Sequence, residues 1–301
     1  MTSTNRDLVK AIGNNLSKFN SLFTELSSDE INTRFSGVFK YSDDFSGIFD
    51  PSGGILNSDK CLAAFWSEFQ RLGGVLYDEE QVLSVSFEKH NRCVKTDKPA
   101  NYRAKQSMVL CLGSFAGEFL SSQMQLNLPL TPQKIAVYYW KTKDAELDPR
   151  RIPCLIHDET HHFFGVPPPE KSGLYKFCFH QGPKIHPHDR DVVNMDYWLR
   201  ETKKRVRRHL PFLHEEPSIT DSCIYTWTPD SNFILDKHPS SDNVVIGAGF
   251  SGHGFKMSIV VGKVLADLAT NKQPVYDMSL FRIDRFKKFD TTDSRMRIAK
   301  L

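Results

Sequence analysis

Residues 243–256 read NVVIGAGFSGHGFK, and this stretch decides the fold. The apolar run 244–246 suits a strand covered on both faces. It passes directly into Gly247-Ala248-Gly249-Phe250-Ser251-Gly252 and then into helical periodicity over 251–268. Glycines at a strand-to-helix turn let backbone N–H groups and the positive helix end approach an anion or a polarised carbonyl. The spelling matches GxGxxG, so contact with a cofactor is one reading, and a turn that lets helix and strand pack closely is the other. The first βαβ of a nucleotide fold is not expected here. Only about 30 residues follow the helix, and they offer no convincing buried strand ending in an acidic residue.

Outward from this stretch the elements are mostly strands. At the start of the chain, Leu8, Ile12, Leu16, Phe19, Phe23 and Leu26 recur at helical spacing and predict an amphipathic helix. Ser27 with Glu30 is a capping-box pair that begins a short helix reaching Phe35. Residues 39–49 read as a strand ending in the turn Asp50-Pro51-Ser52-Gly53-Gly54. Ser58 opens a helix carrying Leu62, Phe65, Trp66, Phe69 and Leu72, which Gly73-Gly74 stops. Strands are expected at 75–77, 82–88 and 93–95, and the apolar run 108–112 ends in Gly113 ahead of another helix. Strands at 134–142, 152–157, 161–166 and 174–180 alternate with Pro/Gly-rich turns. A long helix covers 192–210, and strands follow at 223–228 and 233–235. Strand–turn–helix units at both ends of a strand-rich middle imply a domain in two segments with another inserted.

Composition bounds the classes. The 301 residues suit roughly two domains, and 40% hydrophobic with 25% charged residues is a globular balance that excludes wholesale disorder. A net charge of +3 is too small to imply nucleic acid. The apolar stretches near 108–113 and 244–250 fall far short of the ~18 residues of a membrane span, and no secretory signal opens the chain. The six cysteines (61, 93, 111, 154, 178, 223) show no CxxC and read as reduced thiols.

Several residue groups invite a chemical reading. His157, His161, His162, His180, His186 and His188 suggest metal, and His157-Asp-Glu-Thr-His161 resembles HExxH. The Glu is displaced by one and the segment reads as strand, so surface histidines and no metal are expected. Lys203-Lys-Arg-Val-Arg-Arg208 reads as the solvated face of an amphipathic helix rather than a nucleic-acid patch. Lys176 and His180 share one face of a strand with Cys178 between them; a functional face and a wet sheet edge are both open. Cys223 is either reactive or a small buried hydrophobe.

These pieces together resemble the family of monomeric sarcosine oxidases and peroxisomal sarcosine and L-pipecolate oxidases, which are flavoproteins. The matching residues are Asp50-Pro-Ser-Gly-Gly54, Lys176-x3-His180, Ser222-Cys223-Ile-Tyr-Thr226 with Thr228-Pro-Asp230, and Phe233-Ile-Leu-Asp236. To these are added Val245-x3-Gly249-Phe-Ser-Gly-His-Gly-Phe-Lys256 and the closing Phe281-Arg-Ile-x-Arg-Phe286. The resemblance implies an α/β fold with a glutathione-reductase-like FAD domain, incomplete at its N-terminus, and an inserted strand-rich α+β substrate domain. In that division 50–118 and 220–290 are FAD segments, 1–49 and 119–219 form the substrate domain, and 291–301 is a tail.

The resemblance also implies roles. Cys223 matches the cysteine joined covalently to the flavin, and Lys256 the lysine that pairs with the substrate carboxylate. Lys176 matches the lysine that promotes reaction with oxygen, and His180 a histidine near the bound amine. Gly249, Phe250, Ser251, Gly252 and Gly254 would face the flavin, with Lys256 and Val82 counted among the cofactor contacts. The implied reaction is FAD-dependent oxidation of a secondary amino acid by O2 to an imine and H2O2, in a monomer without nucleic-acid or membrane partners. The ending Ala299-Lys300-Leu301 is close to SKL, the address read by the peroxisomal import receptor.

Two departures stand out. Family members begin with a strand, GxGxxG and a helix that bind the FAD pyrophosphate, and this chain starts downstream of them. A truncated sequence, or a non-catalytic relative serving as a binding protein, is therefore the alternative expectation, together with an exposed apolar surface and weak FAD binding. The tyrosine that the family places before Gly165 is Phe164 here.

Overall fold

The computed structural model describes residues 1–35, 37–88, 91–144, 146–168 and 173–288. The first part of the chain contains β1 (Thr2–Ser3), α1 (Arg6–Lys18), β2 (Thr24–Ser27), α2 (Ser28–Arg34), β3 (Ser46–Phe49) and α3 (Ser58–Arg71). Then come β4 (Val82–Glu88), β5 (Asn91–Thr96), β6 (Asn101–Arg103), β7 (Met108–Leu110) and α4 (Ala116–Met124). The strands β8 (Thr131–Lys141), β9 (Leu155–Asp158), β10 (His162–Val166) and β11 (Leu174–Phe179) precede α5 (Asp196–His209). The chain continues through β12 (Ile219–Trp227), β13 (Ile234–His238), β14 (Ser241–Ala248) and α6 (Ser258–Ala269). The elements divide into two units: Met1–Asp59, Lys134–Pro183 and His188–Cys223 in the first, and Lys60–Gln133, Lys184–Pro187 and Ile224–Leu301 in the second.

The first unit is built on a mixed sheet of order β12-β8-β11-β10-β9-β1-β3-β2. Only β1 and β9 run parallel among the registered pairs. Strand alternation separates its two faces. Phe163, Tyr175, Phe177 and Phe179 point into an aromatic core with Trp140, Tyr138 and Val206 of α5. On β10 and β11, Phe164, Lys176 and Cys178 fall on the opposite side. The expected capping box of α2 is present: Glu30 N donates to Ser27 Oγ at 3.3 Å, and Ser27 N donates to the Glu30 carboxylate at 2.8 Å.

In the second unit, β14 runs parallel to β7 and antiparallel to β13. Its apolar run is covered on both sides. Val244 and Ile246 pack with Leu120 and Met124 of α4, while Val245 packs with Val261, Val264 and Leu265 of α6. Gly247 allows the close approach of α6, because a Cβ there would lie 3.1 Å from both Leu265 Cδ1 and Cys111 Sγ. A separate β4-β5-β6 meander belongs to this unit.

Some expected boundaries move. The opening helix stops at Lys18 instead of reaching Leu26, because Asn20 turns left-handed (φ 53°) and the chain re-enters as β2 with Leu26 buried. Of 39–49 only Ser46–Phe49 is strand, and 75–77 is irregular. The helix expected from residue 251 begins at Ser258, since Ser251 (φ 47°) and Gly252 (φ 79°) are left-handed and cannot lie in a right-handed helix. The tail 291–301, with its tripeptide, lies outside the described residues.

Candidate functional site

In the second unit the carboxyl ends of the parallel strands β7 and β14 lie at one edge of the sheet, where ligands of α/β sheets bind. A groove of about 570 Å³ opens there, lined by Cys111, Gly113, Ile224, Tyr225, Thr226, the turn residues Gly249, Phe250, Ser251, Gly252 and Gly254, and Val261 and Leu265 of α6. Gly249 (φ 65°) must be glycine, since a Cβ would come within 2.4 Å of Thr228 Cγ2.

The turn is held by Ser251, which is fully buried. Its N–H donates to Thr226 O at 3.0 Å, its hydroxyl donates to Gly249 O at 3.1 Å, and it accepts from Thr228 N at 3.3 Å. An apolar groove edged by backbone groups of a glycine turn suits a flat ring with one polar edge, so these residues fit a flavin. Lys256 stands exposed in the short 3-10 turn Phe255–Met257 that leads into α6 and is not among the residues lining the groove. Val82 is exposed at the start of β4, paired with Thr96, and also stands outside the groove lining.

In the first unit the period of two brings Lys176, Cys178 and His180 to one face of the large sheet, as the spacing requires. Phe164 of β10 pairs with Cys178 and joins them. The Lys176 ammonium lies 5.4 Å from the centre of the Phe164 ring. The His180 ring sits edge-on to Phe164 at 6.0 Å and to His162 at 5.2 Å. Cys178 is wholly buried, accepts from Tyr138 N at 3.2 Å, and has its thiol pushed up to about 12 by burial.

Cys223, in β12, is half-buried. Burial raises its thiol above the ordinary value, and the Lys176 charge only partly offsets this. At neutral pH it is a thiol, so any bond it makes through sulfur needs a base to take the proton. Its three successors along β12, Ile224, Tyr225 and Thr226, are groove residues.

The histidines divide. His186 and His188 are exposed as expected. His157 is not a surface residue: it is 1% exposed, packed against Tyr41 and Phe45, and burial holds its imidazole well below the usual range. The HExxH spelling falls on β9 and the turn after it, not on a helix. The basic run of α5 is engaged in ion pairs: Lys203 with Glu216, Arg207 with Glu215, and Arg205 with Glu201.

Sequence reading quoted Thr226 only as part of a family motif and did not place Cys111 or Gly113 in a site. The available signal was the run 108–112, whose ending in Gly113 marks a second strand end beside the first. No helix among the described residues is long and apolar enough to cross a membrane.

Residues 4–268 match the family described as FAD dependent oxidoreductase. The chain belongs to this family. As a flavin-dependent oxidoreductase it is similar to peroxisomal sarcosine oxidase of Mus musculus, with 37% identity covering 87% of this chain and 67% of that protein. The Homo sapiens peroxisomal sarcosine oxidase is 36% identical over 92% of this chain and 72% of that protein. In three dimensions the chain superimposes on L-proline dehydrogenase from P. horikoshii with a TM-score of 0.78 at 20% identity, covering 95% of this chain and 76% of that one. At that identity the likeness speaks for the fold, which is the expected α/β architecture of FAD-dependent amino acid oxidoreductases.

Proposed function

We propose that this flavoprotein oxidises a secondary amino acid (sarcosine, L-pipecolate or a similar N-alkyl amino acid) with O2, releasing the imine and H2O2. The observation that carries the reading is the buried Ser251 that staples the left-handed Gly249–Gly252 turn over an apolar groove. The names of the mouse and human relatives support the substrate class. FAD, when bound, supplies the two-electron acceptor. Gly249, Phe250, Ser251, Gly252 and Gly254 would hold it: the Ser251 amide is spent on Thr226 O and keeps the turn in shape, while the amides of the other four would face the polar edge of the ring, where fixed dipoles act without reorganising.

Lys256 would bind the substrate carboxylate, and its exposure leaves the ammonium available to an incoming anion. Lys176 would hold a positive charge where oxygen is reduced, and His180 would orient the amine. The Phe164 ring offers a π face to Lys176 but no hydroxyl, so any proton handled there passes through His180 or water. Cys223 would tether the cofactor, with Val82 as a further contact. In this reading 50–118 and 220–290 serve the flavin, 1–49 and 119–219 the substrate, and the tail 291–301 carries the address for peroxisomal import of a monomer.

Oxygen uptake with sarcosine and with L-pipecolate tests the reaction on flavin-loaded protein; turnover of neither overturns it. Acid denaturation should leave flavin fluorescence with the polypeptide. Complete release of flavin, or retention in Cys223→Ser, removes the tether. Lys256→Ala should raise KM; for an ammonium that stands exposed the loss is about 1 kcal/mol or less, roughly fivefold in KM at most. An unchanged KM would take Lys256 out of substrate binding.

A further inference from the structure

We propose that His157, Glu159 and His209 of the first unit form a binding site for a borderline divalent cation of the zinc class. His157 lies in β9 one residue before its end, Glu159 sits in the turn that follows the strand, and His209 is the last residue of α5. One ligand atom from each lies within 4.8 Å of the others, and His157 Nε2 stands 4.0 Å from Glu159 Oε2. Both imidazoles are at least 98% buried, and the Nε2 atoms of both are buried without a hydrogen-bond partner. Two buried ring nitrogens left without a partner in a cluster that also holds a carboxylate are costly unless a further group satisfies them.

The outer atoms of the two rings are already engaged, as metal-ligating histidines require. His209 Nδ1 donates to Lys40 O at 3.0 Å, which leaves the lone pair on Nε2. His157 Nδ1 faces Tyr41 Oη at 3.3 Å and Thr2 Oγ1 at 3.4 Å, and donation to these hydroxyls leaves its Nε2 lone pair free as well. The two glutamate oxygens divide the work. Oε1 accepts from Arg208 at 3.0 Å, while Oε2 turns toward His157 with Arg205 Nε no closer than 3.7 Å.

Two nitrogens and one oxygen with a position left for water is a ligand set typical of zinc. Metal–ligand distances of about 2.0–2.2 Å ask for a closing-in of each donor on the order of 1 Å, within reach of side-chain rotation. Arg205 and Arg208 oppose the cation, whereas the carbonyl end of α5 favours it. Binding is therefore expected to be weaker than at a four-ligand site. The ion would tie the β9–β10 turn to the end of α5, a stabilising role separate from oxidation.

The test uses the full chain without a histidine tag, stripped with chelator and titrated with Co2+ and then Zn2+. One equivalent of Co2+ should bind with visible ligand-field bands, Zn2+ should displace it, and Tm should rise. His209→Gln should abolish binding, and Glu159→Gln should weaken it by about tenfold or more with unchanged far-UV circular dichroism. Glu159 lies at the edge of the core, so this second variant decides the matter if His209→Gln fails to fold. Absence of stoichiometric binding overturns the proposal. So does binding that survives Glu159→Gln unchanged, or that is lost in His186→Ala/His188→Ala.

Discussion

Helices α3 and α5 are each 14 residues long, and both announce an apolar face in the sequence, yet the chain treats them oppositely. Helix α5 buries Thr202, Val206 and His209 and presses Met195, Trp198 and Leu199 against the aromatic core of the large sheet. Helix α3 buries nothing, and Leu62, Phe65, Trp66 and Phe69 are each more than 40% exposed. Periodicity tells where an apolar face lies. It does not tell whether the same chain covers it, because cover depends on partners distant in sequence, such as β11 for α5.

The sharpest way to break this contrast is one substitution made on both helices. Val206→Asp would place an uncompensated charge at a site 1% exposed, and should cost about 3–5 kcal/mol in denaturant unfolding. A loss under about 1 kcal/mol would mean that the α5 face is not the packed one.

A smaller effect is expected where the second unit closes on itself. Arg285 is nearly buried and donates to both oxygens of Asp230 (2.8 and 3.2 Å), to Asn232 O at 3.0 Å and to Arg282 O at 2.9 Å. Burial pushes the Asp230 carboxyl up, but its hydrogen bonds with Arg285 and the guanidinium charge outweigh this and hold it below the ordinary carboxylate range. A carboxyl depressed on folding adds stability above its unfolded value, and that stability is lost as pH falls through the folded one. Arg285→Met should therefore cost about 2 kcal/mol at pH 7, with part of the difference from the parent disappearing below about pH 4. A pH-independent difference would show that packing of Arg285 on Phe286, not the ion pair, holds the segment.

What the sequence made legible was local. The capping box at Ser27 and Glu30, the shared face of Lys176 and Cys178, and the glycine turn after residue 246 each rest on chemistry within a few residues, and the structure bears them out. Non-local facts were hidden. The parallel partner of β14 is β7, far upstream, and so Cys111 and Gly113 reach the groove without any spacing that announces it. His157 is buried because Tyr41 and Phe45 fold over it, and the next residue of β9, Asp158, is only half-buried, so its neighbours in sequence gave no warning. The overrun of α1 has the opposite origin: Phe23 and Leu26 keep helical spacing by coincidence, and a single left-handed Asn20 overrides it.

The smallest effect is expected from the matched substitution on α3. Phe65 lies in the middle of the helix and is 48% exposed, so replacing it forfeits little buried area and strands no buried partner. Aspartate is a modest helix former, and Glu68 three residues on adds a weak like-charge repulsion; each costs a few tenths of a kcal/mol. The sum should leave unfolding free energy within about 0.5 kcal/mol of the parent, against the several lost in Val206→Asp. The pair should be measured in urea at two protein concentrations. A loss near that of Val206→Asp at both concentrations would mean that the α3 face is packed within the chain in solution. A loss that grows with concentration would mean that a second copy covers it, since only an association couples stability to protein concentration.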